Sequence, residues 1–286
     1  MKILIKRTLI FILMFLIFSM NTFAKDVNRK NRDADVTKHI EVPIKDIVGN
    51  QAILWISNLI GFPYKKPLVF VTYGQSNSVN QSERGYEVSE DVYMFIDGKT
   101  YRYRDPALGG TGGQGSVWGR VGDQLIQNNF ASSVVFVNTG WSGASIHDLT
   151  YSHQYTFFEE QLMSALEEFG KVDGILFHQG ETNHQRQVGS GEYNNDFLTL
   201  LANIRGMSDV PVYLSQVSLC QSEPDELLLE IQDKLIKEHK GVLRGPNSDL
   251  LSEPKFRLPD YCHFSSDGLD ELSKMWFESI INKSEM

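Results

Sequence analysis

Two short segments at opposite ends of the chain carry the residue types that acyl transfer needs. Gly74-Gln75-Ser76-Asn77 closes an apolar run, and Asp260-Tyr261-Cys262-His263 lies near the C-terminus. A serine hydroxyl is a poor nucleophile until a base takes its proton. A histidine becomes that base when a carboxylate orients its ring and stabilises its charged form. Ser76 is therefore the candidate nucleophile, His263 the candidate base and Asp260 the acid that orients it. Gly74 lets the chain turn tightly and expose the hydroxyl. Read alone, Ser76 is a helix cap or turn former, and His263 is one of seven histidines. Together they are the minimum equipment of a serine esterase. The nucleophile segment is not the Gly-x-Ser-x-Gly elbow of the α/β-hydrolases.

Acyl transfer also needs donors aimed at the developing oxyanion. Gln179, in Phe177-His178-Gln179-Gly180-Glu181, can offer a side-chain amide. Gly143, in Gly140-Trp141-Ser142-Gly143-Ala144-Ser145, can offer a backbone N–H, and the Ser76 N–H would be a third donor. Gln75, Asn77 and Glu181 are expected to support the site, Glu181 as a buttress or a sugar contact. His178, Glu181 and His184 lack the His-Glu-x-x-His spacing, and no second Glu-x-x-His is present, so no metal site is expected. Gly109 to Gly115 is glycine-rich, but no Lys follows at the phosphate-loop spacing. It reads as a substrate-side loop ahead of a helix from Ser116. Trp118, Trp141, Tyr151 and Tyr155 fall in or near segments expected to rim the site, where they can stack on a sugar or pack into the core.

These residues must be positioned by an alternation of strands and helices. Apolar runs at 68–72, 133–137, 174–177 and 210–217 read as strands covered on both faces, with a fifth near Gly241 to Leu243. Helical periodicity runs through 117–127, 157–169, 193–204, 227–239 and 269–281. The alternation predicts a three-layer α/β/α sandwich on a parallel sheet of about five strands. Ligands bind such sheets outside the carboxyl ends of the strands, and every candidate residue falls there or in a late loop.

Residues 1–24 read as a secretory signal peptide. Lys2, Lys6 and Arg7 precede the apolar stretch Leu9 to Met20, and Thr22-Phe23-Ala24 offers a small-residue cleavage site. The stretch is short for a membrane span, and no cysteine marks a lipid anchor, so no stable anchor is expected after cleavage. A secreted or periplasmic protein follows. Residues 25–60 read as a lead-in, flexible to about Lys38, after which His39 to Gly61, with Ile53-Leu54-Trp55-Ile56, can pack onto the domain as a short helix. Residues 61–286 form the single large domain. The formal charge is −9, and more negative without the leader, which argues against nucleic acid as a partner. Cys220 and Cys262 form either one disulfide or two buried thiols.

The set Gly74-Gln75-Ser76-Asn77, Gly143-Ala144-Ser145-Ile146, His178-Gln179-Gly180-Glu181 and Asp260-Tyr261-Cys262-His263 resembles the SGNH hydrolase superfamily. Within it, the chain is similar to the sialate O-acetylesterase and acetylxylan esterase branch, over roughly Pro67 to Ile281. The resemblance implies a flavodoxin-like SGNH fold, Ser76, Asp260 and His263 as the triad, and Gln179 in the oxyanion hole. It also implies an acetylated carbohydrate as substrate, whether sialic acid, xylan or an envelope glycan, and no cofactor. Two positions depart from the family pattern: Phe177 stands where a Trp is common, and Asn183 where an Asp is common. The alternatives are a lipase or thioesterase of the same superfamily and a glycan-binding protein that kept the fold without turnover.

Overall fold

Leu68–Gly74 forms the central strand, β1, and its side chains alternate between two cores. Val69, Val71 and Tyr73 face one layer of helices while Phe70 faces the other, as the two-residue repeat of a strand requires. The computed structural model describes residues 34–48, 67–221 and 223–282. The expected leader, and Ile53 to Ile56, lie outside the described residues.

Ile44–Val48 is a short helix, α1. After β1 come β2 (Val92–Ile96) and β3 (Lys99–Arg102), joined as a hairpin through Asp97-Gly98. Then follow α2 (Trp118–Gln127), β4 (Val134–Asn138), α3 (Ile146–Tyr151), α4 (His153–Phe169) and β5 (Gly174–His178). The chain continues through α5 (Glu181–Gln185), α6 (Ser190–Met207), β6 (Val212–Gln216), α7 (Glu226–Glu238), β7 (Val242–Asn247) and α8 (Ser266–Ile281). The sheet has seven strands in the order β3-β2-β4-β1-β5-β6-β7. All neighbours are parallel except the β2–β3 pair. The three-layer sandwich is as expected, with two more strands than the sequence suggested. The added pair is the β2–β3 hairpin at one edge.

Residues Ile40 to Ile47 dock on that edge. Val42 N–H donates to Thr100 O at 2.9 Å, Arg102 N–H to Ile40 O at 2.9 Å, and Ile47 is buried in the core. This part of the expected lead-in therefore shares the domain's packing.

One face of the sheet is covered by α3, α4, α6 and α7, through residues such as Leu149, Phe158, Phe197 and Leu235. The other is covered by α2 and α8, where Trp118 and Trp276 meet with ring centroids 5.3 Å apart. Because the chain builds from β1 first toward β2 and β4 and then toward β5, β6 and β7, β1 sits where the winding changes direction. The crevice outside its carboxyl end is the expected ligand site of such a sheet.

Gly74 marks that end. It pairs with His178 of β5 at a φ of 138°, and a Cβ added there would lie 2.0 Å from the His178 carbonyl oxygen. Only glycine permits both the backbone angle and this approach. Gly74→Ala is therefore expected to lower the unfolding free energy by more than about 3 kcal/mol, measured by urea denaturation. A loss under about 1 kcal/mol would contradict this account.

Candidate active site

The turn after β1 is a single 3-10 turn, Ser76–Ser78, buried against the neighbouring loops. Its flanking side chains hold it in place. The Gln75 side-chain oxygen accepts from Thr182 N–H at 2.8 Å and from Gly180 N–H at 3.3 Å. Asn77 donates to Glu181 Oε1 at 2.8 Å and to the Cys262 carbonyl at 3.2 Å. Ser76 is thereby fixed against the β5 loop on one side and the C-terminal loop on the other. Gln75, Asn77 and Glu181 hydrogen-bond these three segments together.

The C-terminal loop folds around Asp260. Its Oδ1 accepts from the backbone N–H of Cys262 and of His263, both at 3.0 Å, and its Oδ2 meets His263 Nδ1 at 2.6 Å. Burial works against ionisation of Asp260, but these three donors outweigh it and hold the carboxyl below its ordinary value. A carboxylate on Nδ1 leaves Nε2 as the working nitrogen. His263 Nε2 is buried without a hydrogen-bond partner among the described residues.

Ser76, His263, Gly143 and Gln75 line one cavity of about 270 Å³, with Ser142 and Cys262. No hydrogen bond joins Ser76 and His263 in this state, which is common before substrate binds. The Ser76 and Gly143 N–H groups donate to no other described residue. Gly143 has a φ of 70° and open space on its Cβ side. Its carbonyl accepts from Arg186 Nη2 at 2.9 Å. Ser142 beside it is held by Gln81 at 2.8 Å and by Thr111. The glycine-rich loop thus serves as a prop: Thr111 reaches the cavity wall through Ser142, and the loop glycines pack on Asn80 and Val79.

Gln179 departs from expectation. It is fully buried beneath the cavity, and its Nε2 donates to Asn183 Oδ1 at 2.5 Å, with Gln75 Oε1 and Ala144 O at 3.3 Å. Asn183 Oδ1 is itself fixed as an acceptor by Ile146 N–H at 2.9 Å. The Gln179 amide therefore braces three loops, and its donors are not free for an oxyanion. Asn183 belongs to this brace and not to a network around Glu181.

Glu181 lies in a second buried group. Its Oε1 meets His178 Nε2 at 3.3 Å as well as Asn77. Burial alone would raise its carboxyl, but His178 and the Asn77 hydrogen bond bring it below the ordinary value. His184 turns instead to Asp225 at 3.2 Å, so His178, Glu181 and His184 do not converge on one point. Among the described residues, His147, Glu192 and Asp196 bring three potential metal ligands within 4.8 Å of one another. None of them lines the cavity.

Of the two fates open to the aromatics near the site, core packing is the one seen for three of them. Trp118 is in the core, donating to Ser78 O at 2.8 Å, and Trp141 and Tyr155 pack on the opposite core. Tyr151 is exposed but stacks near His147. The exposed aromatic beside the site is Tyr261, 58% exposed at the tip of the Asp260 loop. No periodicity points to it; its place inside the Asp-x-x-His segment is the one available signal.

Cys220, in the loop after β6, is joined to Cys262 by a disulfide with Cα atoms 4.2 Å apart. Both half-cystines line the cavity. Arg257, buried, donates to Cys262 O at 2.6 Å and to the carbonyls of Leu251 and Ser248. Asp249 accepts from Ser218 Oγ at 2.6 Å and from Leu219 N–H at 3.0 Å, which fixes the approach to Cys220.

Two outcomes follow from these contacts. The disulfide closes a separation of 42 residues, so the double variant Cys220→Ser/Cys262→Ser should lose about 4 kcal/mol of stability, read by urea denaturation; full retention would contradict the structure. The Glu181 carboxyl is depressed in the fold, so its contribution is present above the unfolded value near pH ~4.3. It is lost as pH falls through the lower folded value. Glu181→Gln should therefore flatten the acid limb of the melting temperature against pH, and an unchanged limb would argue against an ionised Glu181.

Comparison with known proteins gives the family and the fold. The family model described as carbohydrate esterase, sialic acid-specific acetylesterase, matches residues 113–282, over half of the chain. The match includes Gly143, Asp260 and His263 and begins beyond Ser76, whose place is set by the fold. A search among curated proteins returned no match. Among solved structures, one from Arabidopsis thaliana aligns with a TM-score of 0.61 at 13% identity, covering 76% of this chain and 98% of that one. A carbohydrate acetylesterase from Xanthomonas citri aligns at 0.53 and 17% identity, covering 76% of this chain and 56% of that one. A single-substitution variant of the acetyl xylan esterase Axe2 from Geobacillus stearothermophilus aligns at 0.51 and 17% identity, covering 74% of this chain and 94% of that one. At these identities the structures speak for a shared fold alone. With the family match and the site described above, the chain belongs to the sialic acid-specific acetylesterase family of carbohydrate esterases and is a carboxylic ester hydrolase.

Proposed function

We propose that the protein removes O-acetyl groups from a carbohydrate through an acyl-enzyme on Ser76. One observation carries this reading. The Asp260–His263 pair, at 2.6 Å, leaves Nε2 unpartnered, and His263 lines the same small cavity as Ser76 and Gly143. Nε2 takes the hydroxyl proton as Ser76 Oγ bonds to the acetyl carbon. The oxyanion that forms is met by the Ser76 and Gly143 N–H groups. The bond from the carbonyl carbon to the sugar oxygen then breaks, and the imidazolium returns its proton to that oxygen. Water, activated by the same nitrogen, adds to the acetyl-enzyme and releases acetate, restoring the serine.

The size and lining of the cavity support acetyl over a longer acyl chain. At about 270 Å³ it lies below the ~300–1,000 Å³ usual for small-molecule sites. Gln81, Ser142, Thr182, Gln185 and Gln221 place polar groups along its lining. A long acyl chain would not fit within this cavity alone, which disfavours the lipase or thioesterase reading. A retained Ser, Asp and His speak against a non-catalytic glycan binder. Action outside the cytoplasm is supported by the leader pattern of residues 1–24 and by a disulfide of the kind that persists in oxidising compartments.

The test uses p-nitrophenyl esters of increasing chain length together with acetylated sugars. Ser76→Ala should lower kcat by about a thousandfold or more. Acetate should be preferred over octanoate by at least about tenfold in kcat/KM. Undiminished turnover by Ser76→Ala would overturn the mechanism, and a preference for octanoate would overturn the acetyl assignment.

A further inference from the structure

Beyond the catalytic cavity, the loops that carry Cys220 and Cys262 build a second surface. Gln221 and Tyr261, the residues next to the two half-cystines, both adopt the left-handed backbone region, with φ of 63° and 53°. Non-glycine residues there cost of order 1–3 kcal/mol when unrelieved, and such strain concentrates at functional sites. The two residues are also tied to each other, Gln221 N–H donating to Tyr261 O at 3.2 Å. Disulfide and hydrogen bond together make a rigid double bracket. What it presents to solvent is an aromatic ring, with Tyr261 58% exposed one residue from Asp260.

Tyr261 and Gln221 line a groove of about 780 Å³ with Glu223, Pro224 and Ser252. Gln221 also lines the 270 Å³ catalytic cavity, so the groove begins where that cavity ends. Its chemistry suits a sugar. A pyranose offers a C–H face that packs on an exposed aromatic ring, and hydroxyls that a side-chain amide or hydroxyl can pair. The catalytic cavity is too small for more than the acetyl group and the sugar that bears it, while the adjoining groove has room for further units.

We propose that Tyr261 and Gln221 form a sugar-binding shelf beside the catalytic cavity, and that the substrate is an acetylated sugar held within an oligo- or polysaccharide and not a free monosaccharide. The proposal rests on the deacetylase reading above and adds the class of glycan. Tyr261 acts here in binding, through stacking, and the chemistry stays with Ser76, Asp260 and His263.

The test measures kcat/KM on peracetylated mono-, di- and tetrasaccharides of xylose and of N-acetylglucosamine, with p-nitrophenyl acetate as the reference ester. Wild-type enzyme should favour the tetrasaccharide over the monosaccharide by about tenfold, the worth of one aromatic stacking contact. In Tyr261→Ala the ratio of tetrasaccharide to p-nitrophenyl acetate should fall about tenfold, mainly through KM, and Tyr261→Phe should retain it. Tyr261→Asn, whose side chain tolerates the left-handed backbone, repeats the measurement should the alanine variant not fold. Equal kcat/KM at all lengths, or a ratio unchanged in both ring-less variants, would overturn the shelf and leave the deacetylase standing. A wild-type enzyme that cleaves p-nitrophenyl acetate and none of the acetylated sugars would overturn both.

Discussion

The amide of Asn77 makes two contacts on which the whole site depends. One goes to Glu181 at the start of α5, the other to the Cys262 carbonyl beside the Asp260–His263 pair. Ser76 and His263 come from opposite ends of the chain, and among the described residues no sheet hydrogen bond spans them. Asn77 does this from the turn that carries Ser76 itself, so the serine and its base share a reference point. Both acceptors are buried, where an unpaired donor would cost about 1–3 kcal/mol. The cost of misplacing any one of the three loops is thus felt at all of them.

Around that contact the structure separates two kinds of polar group. Gln75, Asn77, Gln179, Asn183 and Glu181 direct the hydrogen bonds they make to one another, to His178 and to loop backbone, while Gln179 Oε1, Asn183 Nδ2 and Glu181 Oε2 are buried without a partner among the described residues. The Ser76 and Gly143 amides and His263 Nε2 are left without partners among the described residues. The first set is a scaffold and the second is the surface offered to an ester. A site preorganised this way reorients little as charge develops, which is where electrostatic catalysis gains most.

Much of this is legible in the sequence, and the differences share a cause. Ser76 and Gly143 are readable because glycines and strand ends mark sharp turns, and Asp260 and His263 because three-residue spacing in one loop permits a direct contact. Gln179 reads as an oxyanion donor because a residue just past a strand can turn up to solvent or down into the layer. Asn183 and Ile146 decide that choice, and spacing does not reveal such partners. The β2–β3 hairpin escapes the strand pattern although Asp97-Gly98 is a strong turn signal, since its strands carry no candidate residue and adjoin a polar stretch. Trp118 can face the rim or the core as far as its neighbourhood tells; it opens α2, and its ring fills the core against Trp276. The role of Tyr261 is hidden because its exposure follows from a left-handed backbone that the sequence does not announce for a tyrosine.

The tie between Cys220 and Cys262, with the contacts of Asn77, also bears on when the site comes into being. Asn77 meets partners 104 and 185 residues further along the chain. Closing loops of that length is an entropic cost met only after the intervening strands have docked, so such contacts form late. A chain still emerging, or trimmed before its last helix, has the nucleophile turn but neither Asp260 nor His263 in place. On the proposed mechanism, hydrolytic activity is therefore a reporter of completed folding: it should appear with the last cooperative step and not grow in with the sheet.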